Sequence, residues 1–295
     1  MPADNSWQIS APQVLDFEEP VDELQVRVVN GTVNVVGTEG PGSRVEITEV
    51  NGPPLQVKRE GPVLSVVYED LPWKGFLKWL DRKGRHRGAV VSVSVPAGTR
   101  LTVGVVGASA VVSGITGRTE VRGVSGGATL VGLTGPVRAD TVSGDVETQG
   151  LTGGLRFNSV SGDLTVLDGG GDGVRADSVS GSMIVDLAPG DGAAPPTDVH
   201  LTTVSGEVAL RLPEPVDAEV EVNTASGAFS SAFDELRPSA RWGGTHLTGT
   251  LRTGRGKIKA TTVSGSVALL RRPADPDSPD SPAPAPEAPS FSKDV

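Results

Sequence analysis

The side chains that could do chemistry in this 295-residue sequence are mostly hydroxyls and carboxylates, and they recur. Thr116-Gly117, Ser125-Gly126, Thr134-Gly135, Ser143-Gly144, Thr152-Gly153 and Ser161-Gly162 follow one another at nine-residue steps. A serine nucleophile of the hydrolase kind sits in a Gly-x-Ser-x-Gly elbow between a strand and a helix, and no elbow in that setting is evident. An active site also breaks symmetry, whereas these hydroxyls repeat with the chain. Acids follow several of the corners, at Asp145, Asp163 and Glu207. Glycosidase chemistry asks for two carboxyls facing across a cleft, and a column at one corner is a ridge. The run Asp168-Gly-Gly-Gly-Asp172-Gly touches the calcium-binding nonapeptide pattern once and does not repeat it. There is no cysteine, and the three histidines, His86, His200 and His246, are scattered. These patterns predict no catalytic residue, no metal and no cofactor.

Two cationic features stand out in a chain whose formal net charge is −10. The first is the stretch WKGFLKWLDRKGRHR, from Trp73 to Arg87. Trp73, Phe76, Leu77 and Leu80 fall at one face of a short helix, and Trp79 adds a second indole. Lys74, Lys78, Arg82, Lys83, Arg85 and Arg87 face a single acid, Asp81. Cations beside Trp, Phe and Leu suit an anionic membrane surface or an acidic protein partner. The same residues would equally serve as an insertion whose apolar side covers the end of a sheet. The second feature is a column, Arg138, Arg156, Arg175 and His200, with Asp140, Asn158, Asp177 and Thr202 two residues on. It reads either as a strip that grips a carboxylate or sugar ligand through arginine forks or as cations neutralised by their neighbours. The negative net charge argues against nucleic acid as a partner.

The elements that would position these groups follow from the repeat. Ser-Gly and Thr-Gly corners alternate, so the unit is eighteen residues with two corners. Between corners, apolar residues alternate with polar ones: Val137 and Ala139 flank Arg138, Leu155 and Phe157 flank Arg156, and Val174 and Ala176 flank Arg175. Period two places the apolar pair inward and the cation outward. Val146, Leu164, Met183, Val208 and Val267 form a further inward column. A hydroxyl column, Thr141, Ser159, Ser178, Thr203, Thr224 and Thr262, is expected, where it points inward, to bond either within itself or to turn backbone. The spacing loosens at Ser180, Ser205, Ser226 and Ser264, where the extra residues read as loops. The abundant glycine suits corners that need positive φ.

The expected fold is therefore all-β, a parallel β-solenoid resembling a β-helix, with short N-terminal strands. Residues 1–20 read as a loose arm and 21–270 as a single domain, its repeats clearest over 107–270. Residues 271–295, rich in Pro, Asp and Ser, read as a disordered tail. VVSVSVPAGTRLTV, the repeated VSGD and VSGS corners and GRGKIKATTVSGSVALL resemble the bacterial "putative adhesin" family, over roughly residues 22–270. The resemblance implies a β-helix-like fold and no established activity, cofactor or catalytic residue.

The functional expectation is a non-enzymatic scaffold or binding protein. It would dock to an anionic membrane surface or an acidic partner through Trp73, Lys74, Phe76, Lys78, Trp79, Arg82, Lys83, Arg85 and Arg87. The alternative is a carbohydrate-binding or carbohydrate-active β-helix protein, and the ends of a solenoid make self-association a further expectation. MPADNSWQIS shows no basic start followed by an apolar run, so the expected location is cytoplasmic, peripheral to the inner face of the membrane.

Overall fold

A computed structural model describes residues 5–68, 87–170, 173–189, 197–241 and 244–273. Among these residues there are strands and no helices. The strands form two large, mostly parallel sheets, one of 14 strands and one of 12, and neither closes into a barrel. Their inward side chains merge into one apolar core running from Ile9 to Leu269.

The regular middle of the chain contains β9 (Arg100–Val105), β10 (Ser109–Ser113), β11 (Thr119–Gly123), β12 (Ala128–Val131), β13 (Val137–Asp140), β14 (Val146–Gln149), β15 (Leu155–Asn158), β16 (Leu164–Gly169), β17 (Val174–Asp177), β18 (Met183–Leu187), β19 (Asp198–Thr202) and β20 (Val208–Leu212). Odd-numbered strands lie in the larger sheet and even-numbered ones in the smaller, so the chain changes sheet at every corner. Neighbours in a sheet are parallel and in register: Val137 lies beside Leu155, Leu155 beside Val174, and Val174 beside Val199. The alternation read from the sequence fixes the facing. Val137, Ala139, Leu155, Phe157, Val174 and Ala176 are buried, as are Val146, Leu164, Met183 and Val208.

The corners are built by hydroxyls. Thr141, Ser159, Ser178 and Thr203 each accept a hydrogen bond from the backbone N–H of the glycine three residues on, at 2.7–3.2 Å. Thr224 and Thr262 do the same. The corner serines donate to the neighbouring level, as Ser161 does to Val142 O and Ser180 to Val160 O. The glycines have a different role from the one expected. Those of the Ser-Gly corners do not have positive φ. A Cβ on Gly162 would lie 2.1 Å from Gly144 O, and one on Gly181 2.1 Å from Gly162 O. Close approach of stacked backbones therefore demands glycine there. Positive φ occurs instead at Gly114, Gly132 and Gly150, just before the Thr-Gly corners.

The ends depart from this order. The first strands are β1 (Asn5–Ile9), β2 (Gln13–Phe17), β3 (Glu23–Val28), β4 (Asn30–Thr38), β5 (Ser43–Asn51), β6 (Leu55–Glu60), β7 (Val63–Val67) and β8 (Gly88–Pro96). The expected loose arm is in fact β1 and β2, paired antiparallel with β6 and β5. Ile9 and Phe17 are buried there, and Trp7 meets Phe17 edge to face at 5.5 Å, so the arm seals the core.

At the other end come β21 (Ala218–Thr224), β22 (Phe229–Ser231), β23 (Arg237–Arg241), β24 (Gly244–Leu251), β25 (Gly256–Thr262) and β26 (Val267–Arg271). The last two intercalate: β25 lies between β19 and β21, and β26 between β20 and β22. The turn entering β25 is organised by the buried Asp217. Its carboxylate accepts from Thr253 N and Oγ1 and from Arg255 N and Nε, at 2.6–3.1 Å. Hydrogen bonds from Thr253 and Arg255 hold this carboxyl far below the usual carboxylate range.

The ordered chain also runs past the expected tail boundary. Arg271 ends β26, and Arg272 pairs with Asp168 at 2.5 Å and Asp186 at 3.2 Å. Residues 274–295 lie outside the described residues. Both terminal edges are blunted, by the three-residue β22 and by Pro238 in β23, devices that discourage edge-to-edge pairing.

Candidate functional site: the outer face of the larger sheet

The parallel register turns single outward residues into ladders about 4.8 Å apart. One ladder runs Glu120, Arg138, Arg156, Arg175, His200, Lys259 and Glu221. The next, two residues along each strand, runs Arg122, Asp140, Asn158, Asp177, Thr202, Thr261 and Asn223. At two levels of the column the cations are neutralised by their neighbours. Arg138 grips Asp140 with Nε and Nη2 at 2.7 and 3.2 Å, and Arg175 pairs with Asp177 at 3.3 Å. Arg156 has Asn158 where its neighbours have an acid, and Asn158 gives its amide to Asp140 at 2.7 Å. Arg156 is exposed and makes no ion pair among the described residues.

Beside this ladder the sheet carries a notch. The residues just ahead of β13, β15 and β17 are Pro136, Gly154 and Gly173, which leave the row without long side chains. The resulting groove of about 510 Å³ is lined by Arg118, Arg138, Arg156, Arg175, His200 and Lys257. Among the described residues its one acid is Asp198, whose Oδ1 accepts from Lys257 N at 2.9 Å. Burial, together with Arg175 and the nearby lysines, lowers the affinity of His200 for a proton, against the opposing pull of Asp177.

The remaining candidates resolve differently. Trp73, Lys74, Phe76, Lys78, Trp79, Arg82, Lys83 and Arg85 lie outside the described residues. Arg87 is described, and its carbonyl accepts from Asn30 N at 3.2 Å and Asn30 Nδ2 at 3.0 Å. Tyr68, on the other side of that stretch, donates its hydroxyl to Gly88 O at 3.0 Å, so the stretch leaves and rejoins the sheets at one corner. The acids after the corners bond the next level: Asp145 accepts from Asp163 N at 2.9 Å and Asp163 from Ser182 N at 2.7 Å. No group of three or more potential metal-binding side chains occurs among the described residues. The sequence reading missed Arg118, one position ahead of β11, and Lys257, the second residue of β25, which join the column only through the register.

The molecule is thus an all-β protein of two large, mostly parallel sheets with a cationic groove on one outer face. Its fold was compared with solved structures. A "putative adhesin" from Bacteroides fragilis is similar at 12% identity and a TM-score of 0.44, over 88% of this chain and 98% of that one. A "putative lipid binding protein" from Parabacteroides distasonis is similar at 13% identity and a TM-score of 0.37, over 89% and 98%. A "putative cell adhesion protein" from Clostridium sporogenes is similar at 7% identity and a TM-score of 0.29, over 88% and 100%. At this level of likeness the names describe those proteins and not this one. No family model matches the chain, and no curated protein matches it.

Proposed function

We propose that this chain is a non-enzymatic binding scaffold, a parallel β-solenoid of the kind its "putative adhesin" resemblance implies, that engages an anionic partner. The observation that carries this reading is the outward ladder of the larger sheet, in which Arg138, Arg156 and Arg175 are held in register. A stacked scaffold fixes such side chains without the entropy loss that a flexible loop would suffer on binding. Against catalysis stands the use of the corner hydroxyls, each engaged in the same backbone hydrogen bond. The basic-aromatic residues 73–87 would add a second cationic contact, suited to anionic headgroups.

Sedimentation with vesicles tests this directly. The intact protein is expected to sediment with phosphatidylserine-containing vesicles and not with phosphatidylcholine alone. Replacing Lys78, Arg82, Lys83, Arg85 and Arg87 with Ser is expected to weaken that sedimentation. Protein that stays in the supernatant with both vesicle types would overturn the membrane form of the proposal.

A further inference from the structure

The groove on the larger sheet carries more than a general preference for anions. Arg118, Arg156 and Lys257 all line it and make no ion pair among the described residues. Arg138 and Arg175 stand on either side of Arg156, each engaged with an acid two residues along its own strand. Among the described residues Asp198 is the one carboxylate in the lining, and a backbone N–H already occupies one of its oxygens. An electropositive trough on a protein of net charge −10 is a local feature that the overall charge does not explain.

We infer that this groove binds a linear, carboxylate-bearing polysaccharide, laid across the strands with its acid groups on Arg156 and its neighbours. The inference rests on the binding-scaffold reading above and names the ligand class for one of its faces. Three observations select that class. First, the groove crosses β13, β15, β17, β19 and β25, so it suits an extended polymer better than a small anion. Second, its cations repeat at the strand spacing of about 4.8 Å. A polyuronate offers one carboxylate on every ring and can follow such a spacing. An extended acidic peptide presents same-face side chains about 6.8 Å apart and falls out of step. Third, guanidinium groups bind carboxylates through paired, directional hydrogen bonds, and Arg156 has both edges of its fork free of acids. Pro136, Gly154 and Gly173 keep the floor low enough for sugar rings to approach the sheet.

The probe is polygalacturonate, with its fully methyl-esterified form as the neutral control, measured by calorimetry on the intact protein. Arg156→Glu places a repulsive charge at the centre of the groove. Arg237→Glu makes the same change in net charge on β23, away from the groove. Polygalacturonate is expected to bind, the esterified polymer is not, and Arg156→Glu is expected to weaken binding about tenfold or more while Arg237→Glu leaves it unchanged. Circular dichroism checks that both variants keep the wild-type melting curve. Equal binding of the esterified polymer, or equal losses in the two variants, would overturn the inference. Binding to phosphatidylserine vesicles without binding to polygalacturonate would also overturn it, while leaving the scaffold reading in place. Binding to neither would overturn the inference and the membrane form of the scaffold reading together.

Discussion

The two kinds of corner look alike in sequence and are built in opposite ways. At the Thr-Gly corners the leading apolar residue is inside: Ile115, Leu133 and Leu151 are at most 2% exposed. At the Ser-Gly corners from Val160 onward the leading valine is outside: Val160, Val179, Val204 and Val263 are 45–50% exposed, whereas Val124, which follows Gly123 and not a hydroxyl, is buried. The difference lies one residue earlier. Before Val160 and Val179 stand Ser159 and Ser178, whose hydroxyls turn to the corner N–H. Before Leu133 and Leu151 stand Gly132 and Gly150, with φ of +60° and +62°. One corner is closed by a hydrogen bond and the other by a buried side chain.

The largest effects should come from the stacking glycines. Gly162→Val places a side chain against Gly144 O, which cannot move without displacing the level below, and is expected to prevent soluble expression of folded protein. Gly150→Ala, where no neighbouring atom comes nearer than 4.0 Å, should cost only the left-handed backbone, about 1–2 kcal/mol by urea denaturation. Next, Leu151→Ala should destabilise by about 2–5 kcal/mol, whereas Val160→Ala should stay within about 0.5 kcal/mol. Equal losses at Leu151 and Val160 would break the distinction between the corners.

Smaller changes sharpen it. Thr148 and Thr119 stand in inward columns, and their hydroxyls find no partner among the described residues. Thr148→Val should therefore raise stability, by about 1 kcal/mol, while removing a bonded corner hydroxyl lowers it. The smallest effect concerns pH. The folded protein binds a proton at His200 less readily than the unfolded chain does. The unfolded state thus holds more protons near the ordinary histidine value of 6.5, and stability falls as pH drops through that value. His200→Gln should flatten that part of the stability profile.

Much of the middle of the fold was legible, because period-two alternation names the inward residues directly and a fixed eighteen-residue step names their neighbours. The corners were half legible: the hydroxyl column was expected to bond either within itself or to turn backbone, and it bonds turn backbone. Two things were not. The final Val263-Ser264-Gly265 corner looks like the last of a series, yet it stacks on Val204 and is followed in space by Ser226. That intercalation depends on β21 and β22 being displaced by later chain, which no local pattern records. The isolation of Arg156 was also hidden, because it depends on Asn158 turning to Asp140 across the strands. The basic column was visible in sequence; that Arg156 makes no ion pair among the described residues emerged from the structure.

Stability rests on the corner hydroxyls, and the proposed recognition on the outer face of the larger sheet. The most direct test measures both properties on two neighbouring residues, Arg156 and Ser159. Arg156→Gln should keep the wild-type melting temperature and lose affinity for polygalacturonate. Ser159→Ala should melt earlier, by about 1 kcal/mol of stability, and bind polygalacturonate as the wild type does once folded. The opposite pattern, with binding lost at Ser159 and retained at Arg156, would contradict the account.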